Sequence, residues 1–317
     1  MTLRLTVESG AWRAHVDNVV SAFHDVLPVV KGNGYGLGRS ELLTHAKSIA
    51  QDVAIGNVYE LTDVPHDMRP FVLTPVGVGV TSVPRSDAVL SIGSSRDLEL
   101  LAALGATNPV VIKVESSMHR YGIEVKDARK LRNQAEAAGH NVIAWSIHLP
   151  LAGTDDDHAD EAIAIARELA TDLPIHLSHI GVAVQRIRAV VSHRVVVRTG
   201  TQLWLGDKSM FGLHADVISV RPASFATAGY RATPISPAET SPSHIVMVGC
   251  GSTNGVGALE DGRSPFHFGK QRLPMLEAPH MHTTMLSVAG DTCPQAGDWV
   301  DVQQPLTRVH PDVVVWR

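Results

Sequence analysis

The run Val26-Leu-Pro-Val-Val30 ends in Lys31, and Gly32-Asn-Gly-Tyr35-Gly-Leu-Gly38 follows before a helical pattern sets in near Ser40. An apolar, β-branched run closed by a lysine and a glycine-rich turn is a strand that delivers the lysine to the mouth of a βα loop. Neighbouring strand ends strip water from an amine held there. Its pKa then falls, and the neutral amine becomes a nucleophile toward an aldehyde. The same segment, read alone, also fits a solvated lysine at a strand end. Four further apolar runs end in groups able to bind or move protons. Pro109–Val114 carries Lys113, with Met118 and Arg120 just beyond. Asn141–His148 ends on His148. Pro174–Ile180 carries His176, Ser178 and His179, and Arg194–Gly200 carries Arg198 and Gly200 ahead of Thr201. Taken singly, the histidines fit hydrogen-bonded core residues and Arg120 a salt-bridged loop residue. Their coincidence at five run ends is the stronger observation.

The elements that must position these groups follow from the apolar pattern. Eight runs recur with helical segments between them: Val26–Val30, Asp52–Gly56, Pro70–Val76, Ala88–Gly93, Pro109–Val114, Asn141–His148, Pro174–Ile180 and Arg194–Gly200. Continuous rather than alternating runs suit strands buried on both faces of a parallel sheet. Helical periodicity spans Glu41–Ile49, Asp97–Leu104, Ala128–Ala138 and Ala159–Ala170. The pattern predicts an α/β fold, a compact (β/α)8 TIM barrel, whose active site lies at the C-terminal strand ends. A doubly wound open sheet is the competitor, but its glycine fingerprint would precede any lysine. After about residue 213 helical periodicity stops. Short β-like runs (Ala215–Val220, His244–Val248, Met285–Val288, Trp299–Val302, Val313–Trp316) lie between Pro, Gly, Ser and Asp. The expected division is a barrel over 11–212 and a smaller all-β C-terminal domain over 213–317. The N-terminal strand, within 1–10, joins the β domain's sheet.

The bulk composition narrows the function. The chain has 317 residues, 44% of them hydrophobic and 19% charged, enough for a sizeable core and unlike a disordered chain. A net charge of −5 without a basic block argues against nucleic-acid or anionic-membrane binding. Cys250 and Cys293 have no metal-ligand spacing, so no metal site is expected. No signal peptide and no span of roughly 18 apolar residues is visible, which reads as a cytoplasmic protein.

The strand-end motifs resemble those of the alanine racemase family, the fold-type III enzymes that use pyridoxal 5'-phosphate (PLP). Val29-Val-Lys31-Gly-Asn-Gly-Tyr35-Gly-Leu-Gly38 is similar to the family's V-V-K-A-N-A-Y-G-H-G. The resemblance implies that Lys31 is the Schiff-base lysine and that Tyr35 meets the PLP phosphate. Lys113-Val-Glu-Ser-Ser-Met118-His-Arg120-Tyr-Gly122 resembles K-V-D-T-G-M-x-R-L-G. It implies that Arg120 binds the PLP 3′-oxygen and the substrate carboxylate, and that Lys113 holds the place of a carbamylated lysine. His148 falls where a histidine packs on the cofactor ring. Arg194–Gly206 resembles V-R-P-G-x-x-L-Y-G. Arg198 would then donate to the pyridine nitrogen, and the amides of Gly200 and Thr201 would bind phosphate. An arginine does not give its proton to that nitrogen, its pKa being above about 12. The implied activity is that of an isomerase, a PLP-dependent amino-acid racemase making a D-amino acid from a small substrate, in a homodimer with shared active sites.

The resemblance breaks down in places. Family members carry a second acid/base group, a tyrosine in G-Y-x-D-G of the β domain. Here Gly249-Cys250-Gly251 stands in that place, and no tyrosine follows Tyr230. Cys250 is therefore a candidate thiol base, a small buried residue with catalysis moved to His280 or His282, or the mark of a lost second base. His176-Leu-Ser178-His179-Ile180 replaces H-x-A-N-S, leaving Ser178 and His179 at the phosphate-binding position. Met281 is the counterpart of the methionine in M-D-Q, near the substrate carboxylate. The alternative reading is a PLP-binding protein, or a non-racemising PLP enzyme, that has lost the second base.

Overall fold

The computed structural model describes residues 1–235, 243–290 and 293–317. They form two compact units. One holds residues 14–34 and 39–206; the other holds 1–13, 35–38 and the described residues from 207 to 317.

In chain order the elements begin with β1 (Leu3–Val7), α1 (Ser9–Phe23), β2 (Val26–Pro28), α2 (Arg39–Ile49), β3 (Asp52–Ile55), β4 (Arg69–Val72), β5 (Val89–Ile92) and α3 (Ser95–Ala103). They continue with β6 (Val110–Val114), α4 (Ala128–Ala137), β7 (Val142–His148), α5 (Asp155–Glu168), β8 (Ile175–Ser178), α6 (Val184–Val190), β9 (Val195–Thr199) and α7 (Thr201–Leu205). Strands β2 to β9 make an eight-stranded sheet in the order β2-β9-β8-β7-β6-β5-β4-β3, parallel at every pairing. A bridge between Val29 and Ala54, with Val30 N–H donating to the Ala54 carbonyl at 2.8 Å, closes β2 onto β3. The chain thus forms a TIM-like barrel, as the apolar runs predict, followed by a separate, mostly sheet C-terminal region.

Side chains alternate along a strand, so one residue in two points into the barrel. Leu27, Val29, Ala54, Phe71, Val89, Val111, Ala144 and Val196 pack there as one cluster. The β8 strand adds His176, whose ring lies 5.4 Å from that of Phe71. Helices cover the outside through apolar stripes such as Leu42, Leu43 and Ala46 of α2 or Leu131 and Ala135 of α4. The α5 helix starts on a capping box between Thr154 and Asp157. One departure from strict alternation stands out. Between β3 and β4 there is only a 3-10 turn, Val58–Asp63, and between β4 and β5 no helix. Pro65, Pro75 and Pro84, with Gly77 and Gly79, forbid a regular helix there.

The second unit is built on β10 (Phe211–Pro222). It continues through β11 (Thr227–Ala228), β12 (Thr233–Pro234), β13 (Ser243–Val248), β14 (Phe266–Phe268), β15 (Gln271–Arg272), β16 (Thr284–Ala289), β17 (Trp299–Val302) and β18 (Val313–Trp316). β1 pairs antiparallel with β10 and parallel with β18, so the first strand belongs to this sheet. β10 also pairs with β13 and β17, with a bulge between Val217 and Ser219.

Candidate active site

The barrel's inward pattern carries directly to its C-terminal mouth. Lys31 lies two residues beyond Val29, Lys113 two beyond Val111, and Arg198 two beyond Val196; Ser146 and His148 lie two and four beyond Ala144. Each charged or polar group is the next inward position after a core residue. Arg198 shows the convergence: it is 4% exposed and donates through Nη1 to Ser146 Oγ at 2.6 Å and through Nη2 to the Ile147 carbonyl at 2.9 Å. Its Nε is buried without a hydrogen-bond partner among the described residues. Ser116 Oγ donates to the His148 carbonyl at 2.6 Å, tying the end of β6 to the end of β7.

Positive charge accumulates at this mouth. Lys31 is reachable from solvent, yet desolvation pulls its amine down from the usual lysine range; Arg120 and Arg198 add to this and Glu60 opposes it. Lys113 is 3% exposed. Burial first, then Arg198, Arg120 and Lys31, push it well below the ordinary lysine value. Its Nζ lies 5.1 Å from the Tyr121 ring centroid, and the Arg120 guanidinium stacks on the same ring at 4.5 Å. Arg120 is exposed and has no carboxylate partner among the described residues. Gly122 is what lets this loop turn. Its φ is +142°, and a Cβ there would meet Glu115 N at 2.7 Å.

Histidines stand between Lys113 and Arg198 in the strand order, on β7 and just beyond β8. Half-buried His148 is pushed down to about 2 by desolvation, then by Arg198 and His179, so its ring is neutral at physiological pH. His179, at φ +58°, meets His148 edge-on at 4.6 Å, and its Nδ1 lies 2.8 Å from the Leu149 carbonyl. Ser178 is buried and registers with His148 across β7 and β8. Gly200 caps α7, which opens at Thr201; the first N–H groups of a helix have no partner within it. Trp204 Nε1 donates to the Val29 carbonyl at 2.8 Å and anchors α7 to the barrel.

The remaining candidates belong to the second unit. Tyr35 is buried at φ +56°, and the adjacent Gly36 lies against the Leu306 backbone. Cys250 is fully buried. Desolvation, with Asp216 and Asp312, raises its thiol far above the usual cysteine range. That environment disfavours thiolate. Met281 is 64% exposed. The two segments do meet: Ser252 N–H donates to the His280 carbonyl at 2.8 Å and Thr253 N–H to that of Met281 at 3.0 Å. Gly251 permits this, since a Cβ there would lie 2.2 Å from the His280 carbonyl oxygen. His280 Nε2 lies 2.5 Å from Glu277 Oε1, and His282 Nδ1 lies 3.2 Å from Thr253 Oγ1.

Residues 7–207 match the family model described as the alanine racemase N-terminal domain. The chain belongs to the alanine racemase family. Solved alanine racemases share its fold at low identity. That of Bartonella henselae, with covalently bound pyridoxal phosphate, is 18% identical at a TM-score of 0.75, covering 100% of both chains. That of Pseudomonas aeruginosa is 20% identical at 0.70, covering 100% of this chain and 99% of its own. That of Bacillus anthracis, with bound L-Ala-P, is 18% identical at 0.72, covering 95% and 85%. Among curated proteins none matches in sequence.

The barrel mouth passes a chemical test for the alanine racemase cofactor. A pyridine nitrogen is an acceptor, and Arg198 Nε is a buried donor without a partner among the described residues. An aldehyde needs a neutral amine, and the Lys31 pKa is lowered. A phosphate and a carboxylate need positive charge, which Arg120 and Arg198 bring to this mouth. Four groups around this mouth were not singled out by sequence: Glu60, Ser116, Tyr121 and Ser146. Ser146 alone left a trace, being one inward step before His148.

Proposed function

We propose that this chain is a PLP-dependent amino-acid isomerase acting on a small substrate at the Lys31 end of the barrel. The observation that carries the reading is the buried Nε of Arg198, without a partner among the described residues and close enough to act on the amines of Lys31 and Lys113. When bound, PLP supplies an electron sink for the pair left at Cα as its proton departs. Lys31 is then the group that takes and returns that proton, since its amine is held in the deprotonated direction. Arg198 would donate to the ring nitrogen, which would leave that nitrogen unprotonated. Gly200 and Thr201 hold the phosphate through backbone N–H groups, with Tyr35, Ser178 and His179 assigned beside them. The neutral ring of His148 would pack on the cofactor. Arg120, unpaired and stacked on Tyr121, takes the substrate carboxylate, with Met281 assigned to the same group in a homodimer of shared sites. Lys113 is assigned as the carbamylated lysine; an amine of lowered pKa is the form that reacts with carbon dioxide.

A second reading has its own support. Cys250, where the family tyrosine would stand, is fully buried, and its surroundings favour the neutral thiol. Lys31 working alone would exchange the Cα proton with retention, as a PLP-binding or non-racemising enzyme does. The test is PLP-loaded protein with L-alanine, L-serine and other L-amino acids in D2O, read by proton NMR and chiral chromatography. Exchange with D-product establishes the isomerase. Exchange without it establishes the single-base reading. No exchange, with no borohydride-fixed adduct on Lys31, refutes both.

A further inference from the structure

The turn after Lys31 is gripped by one short segment. Asn57 accepts from Tyr59 N–H at 3.0 Å and starts the 3-10 turn Val58–Asp63, which presents two carboxylates. Glu60 is 7% exposed. It accepts Gly56 N–H through Oε2 at 2.6 Å and Gly32 N–H through Oε1 at 3.0 Å. Asp63 accepts from Arg39 Nε at 2.5 Å, and Arg39 Nη1 donates to the Gly32 carbonyl at 2.5 Å. Both peptide groups of Gly32, the residue bonded to Lys31, are therefore held. Gly32 itself sits at φ +61°, and Gly34 N–H donates back to the Lys31 carbonyl at 3.1 Å.

The location gives this clamp its meaning. β2 and β3 are the ends of the barrel's strand order, joined by the Val29–Ala54 bridge rather than a ladder. Glu60 spans the same seam one step further toward the mouth. A buried carboxylate with both oxygens on backbone N–H groups is expensive to displace, so it sets the separation of the two strand ends.

We propose that Glu60 is the positioning residue of Lys31: its carboxylate bridges the ends of the first and second barrel strands and so fixes where the amine projects. The inference rests on the reading of Lys31 as the reactive amine. Glu60 is also the carboxylate that acts on that amine against Arg120 and Arg198. Two variants separate reach from charge. Glu60→Gln keeps the length, but its NH2 faces one of the two N–H donors and its charge is gone. Glu60→Asp keeps the charge and falls one methylene short of spanning both glycines.

The experiment is competitive acetylation of the cofactor-free protein across pH, read at Lys31 by peptide mass spectrometry, with exposed lysines as internal references. Glu60→Gln is expected to lower the Lys31 midpoint by about one unit, the scale of losing a neighbouring opposite charge. Glu60→Asp is expected to leave it near the wild-type value. Both are expected to slow PLP capture, measured as the borohydride-fixed adduct on Lys31, by about tenfold, a loss of roughly 1.4 kcal/mol in the barrier. An unchanged midpoint in Glu60→Gln with wild-type capture in both variants overturns the proposal. If Glu60→Gln does not fold, Gly56→Ala serves. Its methyl would lie 3.1 Å from both carboxylate oxygens, so the carboxylate must shift by a few tenths of an ångström against its two N–H donors. Slowed capture is again expected, and wild-type capture overturns the proposal. Wild-type protein that captures no PLP sinks the reading of the site alone; the acetylation midpoint still decides Glu60.

Discussion

Replacing His176 by leucine tests the barrel interior through pH. His176 is 6% exposed, packs on Phe71, and is pushed down to about 3 by burial first, then by Arg198, Arg194 and Arg69. Its folded pKa is depressed, so between about 3 and 6.5 the unfolded chain binds a proton that the folded chain refuses. Stability then falls as pH drops through that window. Each pH unit costs about 1.4 kcal/mol, so this one residue removes about 2 kcal/mol by pH 5 and about 3 kcal/mol by pH 4. That is a large part of a typical domain stability of roughly 5–15 kcal/mol. His176→Leu removes the titration while keeping an apolar side chain against Phe71. A change of less than about 1.5 kcal/mol is expected at pH 7. Urea unfolding at pH 7, 6, 5 and 4, on wild type and variant, is the assay. The gap between them should widen in the variant's favour by about 2 kcal/mol from pH 7 to pH 5. A gap independent of pH would refute the placement of a neutral, buried imidazole in the barrel.

Three further perturbations have defined outcomes. Lys113→Met should stabilise the protein at pH 7, because a buried lysine with a depressed pKa costs stability below its unfolded value. Its advantage should shrink as pH rises toward 10, in thermal denaturation followed by circular dichroism. Gly122→Ala should cost at least about 2 kcal/mol and lower Tm, since φ is +142° and the new methyl would meet the Glu115 backbone. Arg120→Ala should leave urea stability within about 0.5 kcal/mol, the side chain being exposed. It should also raise KM for the amino acid at least tenfold, about 1.4 kcal/mol of lost binding, in the steady-state assay.

What was legible in the sequence was whatever depends on a local period. Continuous apolar runs such as Pro109–Val114 and Asn141–His148 announce strands buried on both faces, and alternation within them names the inward residues. Lys31, Lys113, His148 and Arg198 were readable as the groups at the ends of such runs, and their motifs resembled one family. The helix α1 left no clear sign, and the helix-free stretch from β4 to β5 was visible only as prolines and glycines.

Groups that act across the barrel were invisible. Glu60 is 29 positions from Lys31 in sequence, and only closure of β2 onto β3 brings its carboxylate to Gly32. The environment of Cys250 was equally hidden: its position was plain, but its burial beside Asp216 and Asp312 follows from how β10, β13 and the last strands assemble. The sequence by itself determined which residue types stand at the strand ends, because side-chain period and turn chemistry are local. The tertiary structure alone decided their protonation and partners, because desolvation and charge coupling depend on neighbours that only the folded chain supplies.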